Sequence, residues 1–317
     1  MSAKKVLVTG ITGMIGSHFA QACRNSGYEV FGIARSSASS RLVDDVSQQV
    51  IRCDVTDQGS VTKVFEQHTF DLVAHFAAQA FNSVGWDQPW YTHQVNVFGT
   101  LNILEGVKKY CPNAKVLLAC SSAEYGLATK ADGPLAENRP LKPVSPYGVS
   151  KVATEQLGYQ YFINYGLQVF LPRLFIHVGT GHPPATAIQN FARQIARIKK
   201  GLQPPVMTVG NLDSARDFID VRDGVAAMMR LIEESDLIGQ PINVATGKAH
   251  SIQEALDTLI KIAGVAVDVQ QSKVLLRPSD EEILLGNNTQ LLSLGWTQQY
   301  SFEDTLTAVF ADWMARV

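Results

Sequence analysis

No stretch of the 317-residue chain approaches the roughly 20 consecutive apolar residues that cross a bilayer, so no membrane partner is expected. Charge of one sign is also missing. The 29 acidic and 27 basic side chains leave a net charge of -2, which exerts no general pull on nucleic acid or an anionic lipid surface. Any anionic ligand must be held by local features. Cysteine is scarce: Cys23, Cys53, Cys111 and Cys120 lie far apart with no C-x-x-C pair, which suits small core residues in a reducing compartment. His177 and His182 lack carboxylate or cysteine partners at ligand spacing, so no metal site is expected. Repeats and low-complexity tracts are absent too. Residues Met1 to Lys5 are polar and run straight into an apolar strand, without the apolar core and cleavage site of a secretory signal, and a cytoplasmic protein is expected.

What the chain does have is alternation. Short apolar runs at Val6 to Thr9, Glu29 to Ile33, Gln49 to Cys53, Asp71 to Ala74 and Lys115 to Cys120 read as strands. Helical patterns lie between most of them: Ile15, Phe19 and Ala22 before Gly27, and Val95, Leu101, Leu104 and Val107 before Pro112. This order predicts an α/β fold, a doubly wound parallel sheet with helices on both faces. After Val169 to Arg173 the segment Thr180 to Ala185 reads as a loop, and a helix from Thr186 to Lys200 carries Ile188, Phe191, Ile195 and Ile198 on one stripe, with its cations on a solvated face. Pro241 to Ala245 reads as one more sheet strand, Ser251 to Ile262 and Phe302 to Met314 as helices. The expected division is residues 1–172 and 216–247 in a larger domain, and residues 173–215 and 248–317 in a smaller C-terminal α/β lobe.

Gly10, Gly13 and Gly16 follow the first strand and open the first helix. Gly10 permits a tight turn, Gly13 lets backbone approach a pyrophosphate, and Gly16 lets helix and strand pack closely, while the helix N-terminus offers N–H groups to the anion. This is a dinucleotide-binding Rossmann turn, with Thr12, Met14 and Ile15 supplying the rest of its backbone. A carboxylate after the second strand would accept hydrogen bonds from a free ribose 2′-OH, but Ala34 stands there, followed by Arg35 and Ser36. Arg35 with Ser36, and Arg41 beyond, suits a 2′-phosphate, so NADP(H) is expected over NAD. Asp54 is an expected partner of the adenine amino group, with a turn or capping role as the alternative; Val55, Ala77 and Ala78 are the remaining expected cofactor contacts.

Ser145-Pro146-Tyr147 opens a helix on which Tyr147 and Lys151 share a face. The ammonium favours the ionised phenol, giving a tuned proton donor for carbonyl chemistry. With the glycine turn ahead of it, this pair resembles the extended short-chain dehydrogenases/reductases over essentially the whole chain. The resemblance implies a third member, which Cys120-Ser121-Ser122-Ala123-Glu124-Tyr125-Gly126 supplies as Ser121, hydrogen-bonding the substrate oxygen, with Ser122 as the fallback. It also implies that Lys151 binds the nicotinamide ribose and that Asn96 supports the lysine through water.

Phe191 to Ala196, Val209 to Asp223, and Arg277-Pro-Ser-Asp280 followed by Leu285-Gly-Asn-Asn are similar to enzymes acting on GDP-sugars, the GDP-mannose 4,6-dehydratases and especially the GDP-4-keto-6-deoxy-mannose reductases. The resemblance implies a nucleotide-sugar partner gripped by Arg216 and Arg277, with Asn190 and Ser122 as further substrate contacts, and a homodimer formed through the helices near 95–109 and 147–165. In the dehydratases a carboxylate base occupies the place of Ala123. A methyl group abstracts no proton, and adjacent Glu124 turns to the other face of an extended segment. Reduction of a C4 ketone is therefore expected; an epimerase or 4,6-dehydratase is the alternative. Ile176 replaces the family's usual Asn, and His177 either substitutes for it or packs beneath the loop.

Overall fold

The computed structural model describes residues 3–35, 49–272 and 282–317. In chain order the first half runs β1 (Lys5–Thr9), α1 (Met14–Asn25), β2 (Glu29–Ala34), β3 (Gln49–Arg52), α2 (Gln58–Gln67), β4 (Leu72–His75), α3 (Asn82–Asp87) and α4 (Pro89–His93). A π-helical turn, Gln94–Phe98, leads into α5 (Gly99–Tyr110), then β5 (Lys115–Leu118), β6 (Cys120–Ser121), α6 (Pro146–Tyr165) and β7 (Gln168–Leu174). Beyond these lie β8 (Ile176–Val178), α7 (Ala187–Lys199), β9 (Val206–Val209), β10 (Ala215–Asp220), α8 (Val221–Leu231) and β11 (Pro241–Val244). The chain closes with β12 (Ala249–Ser251), α9 (Ile252–Ala263), β13 (Asp268–Gln271), β14 (Ile283–Leu284), α10 (Thr289–Ser293) and α11 (Phe302–Arg316).

The main sheet has the order β3-β2-β1-β4-β5-β7-β11, every neighbouring pair parallel, with β6 added against β7. Successive side chains of a strand face opposite ways, and here both faces are covered. Val6 and Val8 pack with Phe19 of α1 and Met228 of α8, while Leu7 between them packs with Val64 of α2 and Leu104 of α5. Val73 and Val116 continue the second layer, Ala74 and Leu117 the first. This is the doubly wound α/β architecture. Among the described residues no helix is long and apolar enough to cross a membrane.

The expected strand from Lys115 to Cys120 breaks at Ala119. Its carbonyl accepts a hydrogen bond from Lys151 Nζ at 2.6 Å, and the chain resumes as β6 beside β7. β11 joins the main sheet through β7, as the apolar run from Pro241 suggested. β10 does not enter that sheet: it pairs with β8 and β14 in parallel and with β12 in antiparallel. Helices α7, α9 and α11 form a separate core in which Ile188, Phe191 and Ile195 are buried against Leu256, Leu259 and Val309, with Ile198 at its margin.

Candidate active site

In the main sheet the chain runs outward from β1 through β2 to β3, and in the other direction from β4 through β5 to β7, so the winding reverses between β1 and β4. Ligands of such sheets bind outside the carboxyl ends of the strands at this point. The glycine turn follows β1 there. Gly10 has φ +66°, and a side chain on it would meet Ala77 N at 2.7 Å; a methyl on Gly16 would meet Gly10 O at 2.3 Å. Thr12 and Gly13 are exposed, whereas Met14 and Gly16 are buried and Ile15 half-buried. Gly13 caps α1 without any side-chain hydrogen bond, and the first turn of α1 holds no acidic residue. Its leading N–H groups and positive dipole end therefore remain for an anion. Ala77, half-buried like Ala78, donates its N–H to Thr9 Oγ1 at 3.1 Å and ties the segment after β4 to the end of β1.

Arg35 is exposed just beyond β2 and donates to the hydroxyl of Tyr91 on α4. Asp54 is exposed, and its Oδ1 accepts from both Thr56 N and Thr56 Oγ1 at 2.9 Å, the turn role weighed for it. Val55 is buried with its carbonyl bonded to Asn102 Nδ2 at 2.9 Å. Ser36, Arg41 and Arg277 lie outside the described residues.

Ser145 caps α6 by accepting Gly148 N–H at 3.0 Å, with Pro146 in the first turn. A side chain at Gly148 would come within 2.6 Å of Ala123 O, so the glycine lets the start of α6 press against the segment that follows β6. Ser121, Tyr147 and Lys151 are thereby brought to neighbouring elements. Lys151 is buried with Nζ 5.8 Å from the ring centre of Tyr147, which is half-buried. Ser121 Oγ accepts Ala123 N–H at 3.2 Å, and Ser121 N–H donates to Glu124 Oε1 at 2.7 Å. Ser122 is buried at the start of this short 3-10 turn. Glu124 points inward, fully buried, so the residue beside Ala123 does not replace a base there.

Asn96 sits in the π-helical turn, a distortion frequent at functional sites. Its side chain accepts Gln79 N–H at 2.8 Å and donates to Gln79 O and Ser150 Oγ, fastening the segment after β4 to α6. Its carbonyl accepts from Thr100 and Thr154 hydroxyls. The expectations do not include His75, at the end of β4. Thr9 Oγ1 accepts Ala77 N–H and shares a second hydrogen bond of 2.7 Å with His75 Nδ1, while His75 Nε2 is a buried atom without a partner. Burial and then the Lys151 charge push the ring down to about 3, so it is neutral.

Also outside the expectations is a buried polar group beneath Ser121. Arg173 grips Glu155 through Nε and Nη2 at 2.7 Å each, and its Nη1 donates to Tyr125 OH and Glu137 O. Two signals pointed to it: Glu155 continues the i, i+4 spacing of Tyr147 and Lys151, and Arg173 is a cation inside an apolar strand. Ligand atoms of Cys120, Glu124 and Glu155 come within 4.8 Å of one another, but the Arg173 guanidinium already supplies the positive charge.

Asn190 is half-buried on α7, and its Oδ1 lies 3.5 Å from Arg193 Nη2. The solvated face expected for the α7 cations does not extend to Arg193, whose Nε is buried without a partner because the residue lies beside the packed stripe. Arg216, half-buried on β10, donates from Nη1 to Ala215 O. His177 packs rather than reaching out: its Nδ1–H bonds Phe175 O at 2.9 Å, and Nε2 would lie 2.0 Å from any side chain placed at Gly224. A cavity of about 470 Å³ lined by Glu137, Glu155, Tyr159 and Pro241 holds none of the sequence-predicted site residues.

The family model of the GDP-mannose 4,6 dehydratases matches residues 7–309. A GDP-6-deoxy-D-mannose reductase of Pseudomonas aeruginosa is 30% identical over 99% of this chain and 98% of its own length. A GDP-mannose 4,6-dehydratase of Vibrio cholerae is 27% identical over 98% of this chain and 94% of its own. Among solved structures, RMD from Pseudomonas aeruginosa complexed with NADPH superposes with a TM-score of 0.87 at 30% identity, covering 99% of this chain and 100% of that one. The UDP-glucose 4-epimerase of Thermus thermophilus, in complex with NAD, gives 0.88 at 28% identity over 99% and 100%. With the glycine turn at the reversal point of the sheet and a family model matching nearly the whole chain, the chain belongs to the GDP-mannose 4,6-dehydratase family.

Proposed function

We propose that this protein is an NADPH-dependent oxidoreductase that reduces the C4 ketone of a GDP-4-keto-6-deoxy sugar, like the reductase among its relatives. The observation that carries the reading is the segment after β6. Ser121 lies on β6, which packs against the α6 that carries Tyr147 and Lys151, Ala123 offers no carboxylate, and Glu124 is turned into the core. Dehydration needs a base at C5, and this segment withholds one.

The turn fits a dinucleotide, since side chains at Gly10 and Gly16 would fill the space that folds it, and α1 begins with uncapped N–H groups. Gly10, Thr12, Gly13, Met14, Ile15 and Gly16 hold the pyrophosphate, Arg35 with Ser36 the 2′-phosphate, and Asp54, Val55, Ala77 and Ala78 the adenine side and the neighbouring backbone. When bound, NADPH supplies the hydride for the carbonyl carbon. Tyr147 gives its phenolic proton to the ketone oxygen. Ser121 Oγ has an acceptor position occupied by Ala123 N–H, which leaves its hydrogen to donate to that same oxygen. Lys151, anchored on Ala119 O, holds positive charge beside the phenol as it loses its proton and binds the nicotinamide ribose. Asn96 steadies the junction between α6 and the segment after β4.

Residues 1–172 and 216–247 serve the cofactor and residues 173–215 and 248–317 the nucleotide sugar, which Asn190 and Arg277 hold together with Ser122 and Arg216 of the larger part. Exposed Phe98, at the end of the π-helical turn that leads into α5, and Val149 and Ile163 along α6 support a homodimer built on these helices. Four buried free thiols suit a cytoplasmic compartment.

The dehydratase and epimerase alternative is tested by incubating the protein with GDP-mannose and oxidised cofactor. No accumulation of a 4-keto product is expected; a stable 4-keto sugar nucleotide would transfer the assignment to dehydration.

A further inference from the structure

Glu124 is 0% exposed, yet it is not part of the bidentate ion pair beside it. Its Oε1 accepts Ser121 N–H at 2.7 Å. Its Oε2 lies 3.7 Å from Arg173 Nε, too far for a hydrogen bond, and has no other partner. The Glu155 carboxylate stands within 4.8 Å with both oxygens committed to Arg173. One guanidinium therefore serves two buried carboxyl groups, and an uncompensated buried charge is expensive.

We propose that Glu124 is a positioning residue for Ser121: its carboxyl ties the Ser121 N–H to the Arg173–Glu155 ion pair and so fixes where the Ser121 hydroxyl points. This rests on the reading of Ser121 as the residue that bonds the ketone oxygen. Burial first, and then the charge of Glu155, push the Glu124 carboxyl well above the usual range, in favour of its protonated form. A proton on Oε2 turns the orphaned oxygen into a donor toward the neighbouring Glu155 carboxylate. Oε1 remains a carbonyl acceptor for Ser121. The chain is then continuous: Ser121 backbone, Glu124, Glu155, Arg173, and through Tyr125 to Asn243 on β11. Ser121 Oγ in turn accepts Ala123 N–H, so the same short turn orients backbone and hydroxyl together.

Glu124→Gln preserves both contacts, since its amide oxygen accepts Ser121 N–H and its NH2 group donates to Glu155. Glu124→Leu keeps the volume and abolishes both; Glu124→Asp withdraws the carboxyl by one methylene and remains a second test should the leucine variant not fold. The four proteins Ser121→Ala, Glu124→Gln, Glu124→Leu and Glu124→Asp are compared with wild type by NADPH oxidation on the 4-keto GDP-sugar, with thermal unfolding to verify folding. Because misplacing a reacting group by an ångström can cost on the order of a hundredfold, Glu124→Leu and Glu124→Asp are expected to lose at least about tenfold in kcat with the KM for NADPH unchanged. Glu124→Gln is expected to recover kcat to within about threefold of wild type. A folded Glu124→Leu or Glu124→Asp with wild-type kcat, while Ser121→Ala is impaired, overturns the positioning role; so does a glutamine variant as impaired as leucine. A Ser121→Ala protein of full activity overturns the reading of Ser121 itself, and with it the proposal.

Discussion

Lys151 donates from Nζ to the carbonyl of Ala119 at 2.6 Å, and that bond coincides with the break between β5 and β6. The same ammonium lies 5.8 Å from the ring centre of Tyr147. Tyr147→Phe is expected to lower kcat by about a hundredfold or more, the scale of positioned proton transfer, with thermal stability little changed for a half-buried hydroxyl. Lys151→Met is expected to lose activity similarly and also some stability, because Ala119 O forfeits its partner. Steady-state kinetics and thermal melts of the two variants check both statements; full activity in Tyr147→Phe would remove the phenol from the reaction.

The three glycines of the turn are expected to separate by where their side-chain space lies. A methyl at Gly16 falls 2.3 Å from Gly10 O, whereas one at Gly13 meets that oxygen at 3.2 Å. Gly16→Ala must push α1 away from the Gly10–Ile11 turn and is expected to cost about 1–3 kcal/mol of stability together with NADPH affinity. Gly13→Ala is expected to weaken NADPH binding by about tenfold with a much smaller change in Tm, since the exposed position crowds the ligand rather than the fold. Equal losses of Tm for the two would contradict the assignment.

Arg35→Ala is expected to raise the KM for NADPH by about tenfold or more, the worth of one charge-assisted contact, and to leave NADH turnover unchanged. Comparable use of both cofactors by the wild type would oppose the 2′-phosphate role.

Buried His75 and half-buried His177, whose Nε2 is shut off from water, make stability depend on pH. In the unfolded chain they titrate near 6.5. In the fold His75 is held down to about 3 and His177 to about 4, in each case chiefly by burial. Between those values the unfolded state binds more protons, so the stability they confer is complete above about pH 6.5 and is lost as pH falls toward 4 and then 3, by up to about 1.4 kcal/mol per pH unit for each ring. His177→Asn keeps a donor for Phe175 O and removes one titration, and is expected to flatten the fall in unfolding free energy between pH 6.5 and 4. An unchanged slope would show that His177 is not held neutral.

The sheet was legible because Val6, Leu7 and Val8 are all apolar, which only a strand covered on both faces requires, and because glycines at 10, 13 and 16 follow it. The shared face of Tyr147 and Lys151 was legible from helical spacing. The break at Ala119 was not, since it coincides with a bond from a lysine 32 residues away. Nor was the place of β10, whose apolar residues fit a small sheet as well as a large one. His75 and Glu124 carried too little local pattern: one reads as a strand end and the other as a surface acid until the fold shows that neither reaches water.

The most direct measurement of the central claim is the stoichiometry of NADPH consumption with a GDP-4-keto-6-deoxy-hexose, followed by NMR of the product. One NADPH oxidised per sugar converted, with a hydroxyl at C4 and nothing else changed, is the expected result. Failure of any 4-keto nucleotide sugar in a panel to elicit NADPH oxidation, or conversion of the sugar without net cofactor oxidation, would contradict it.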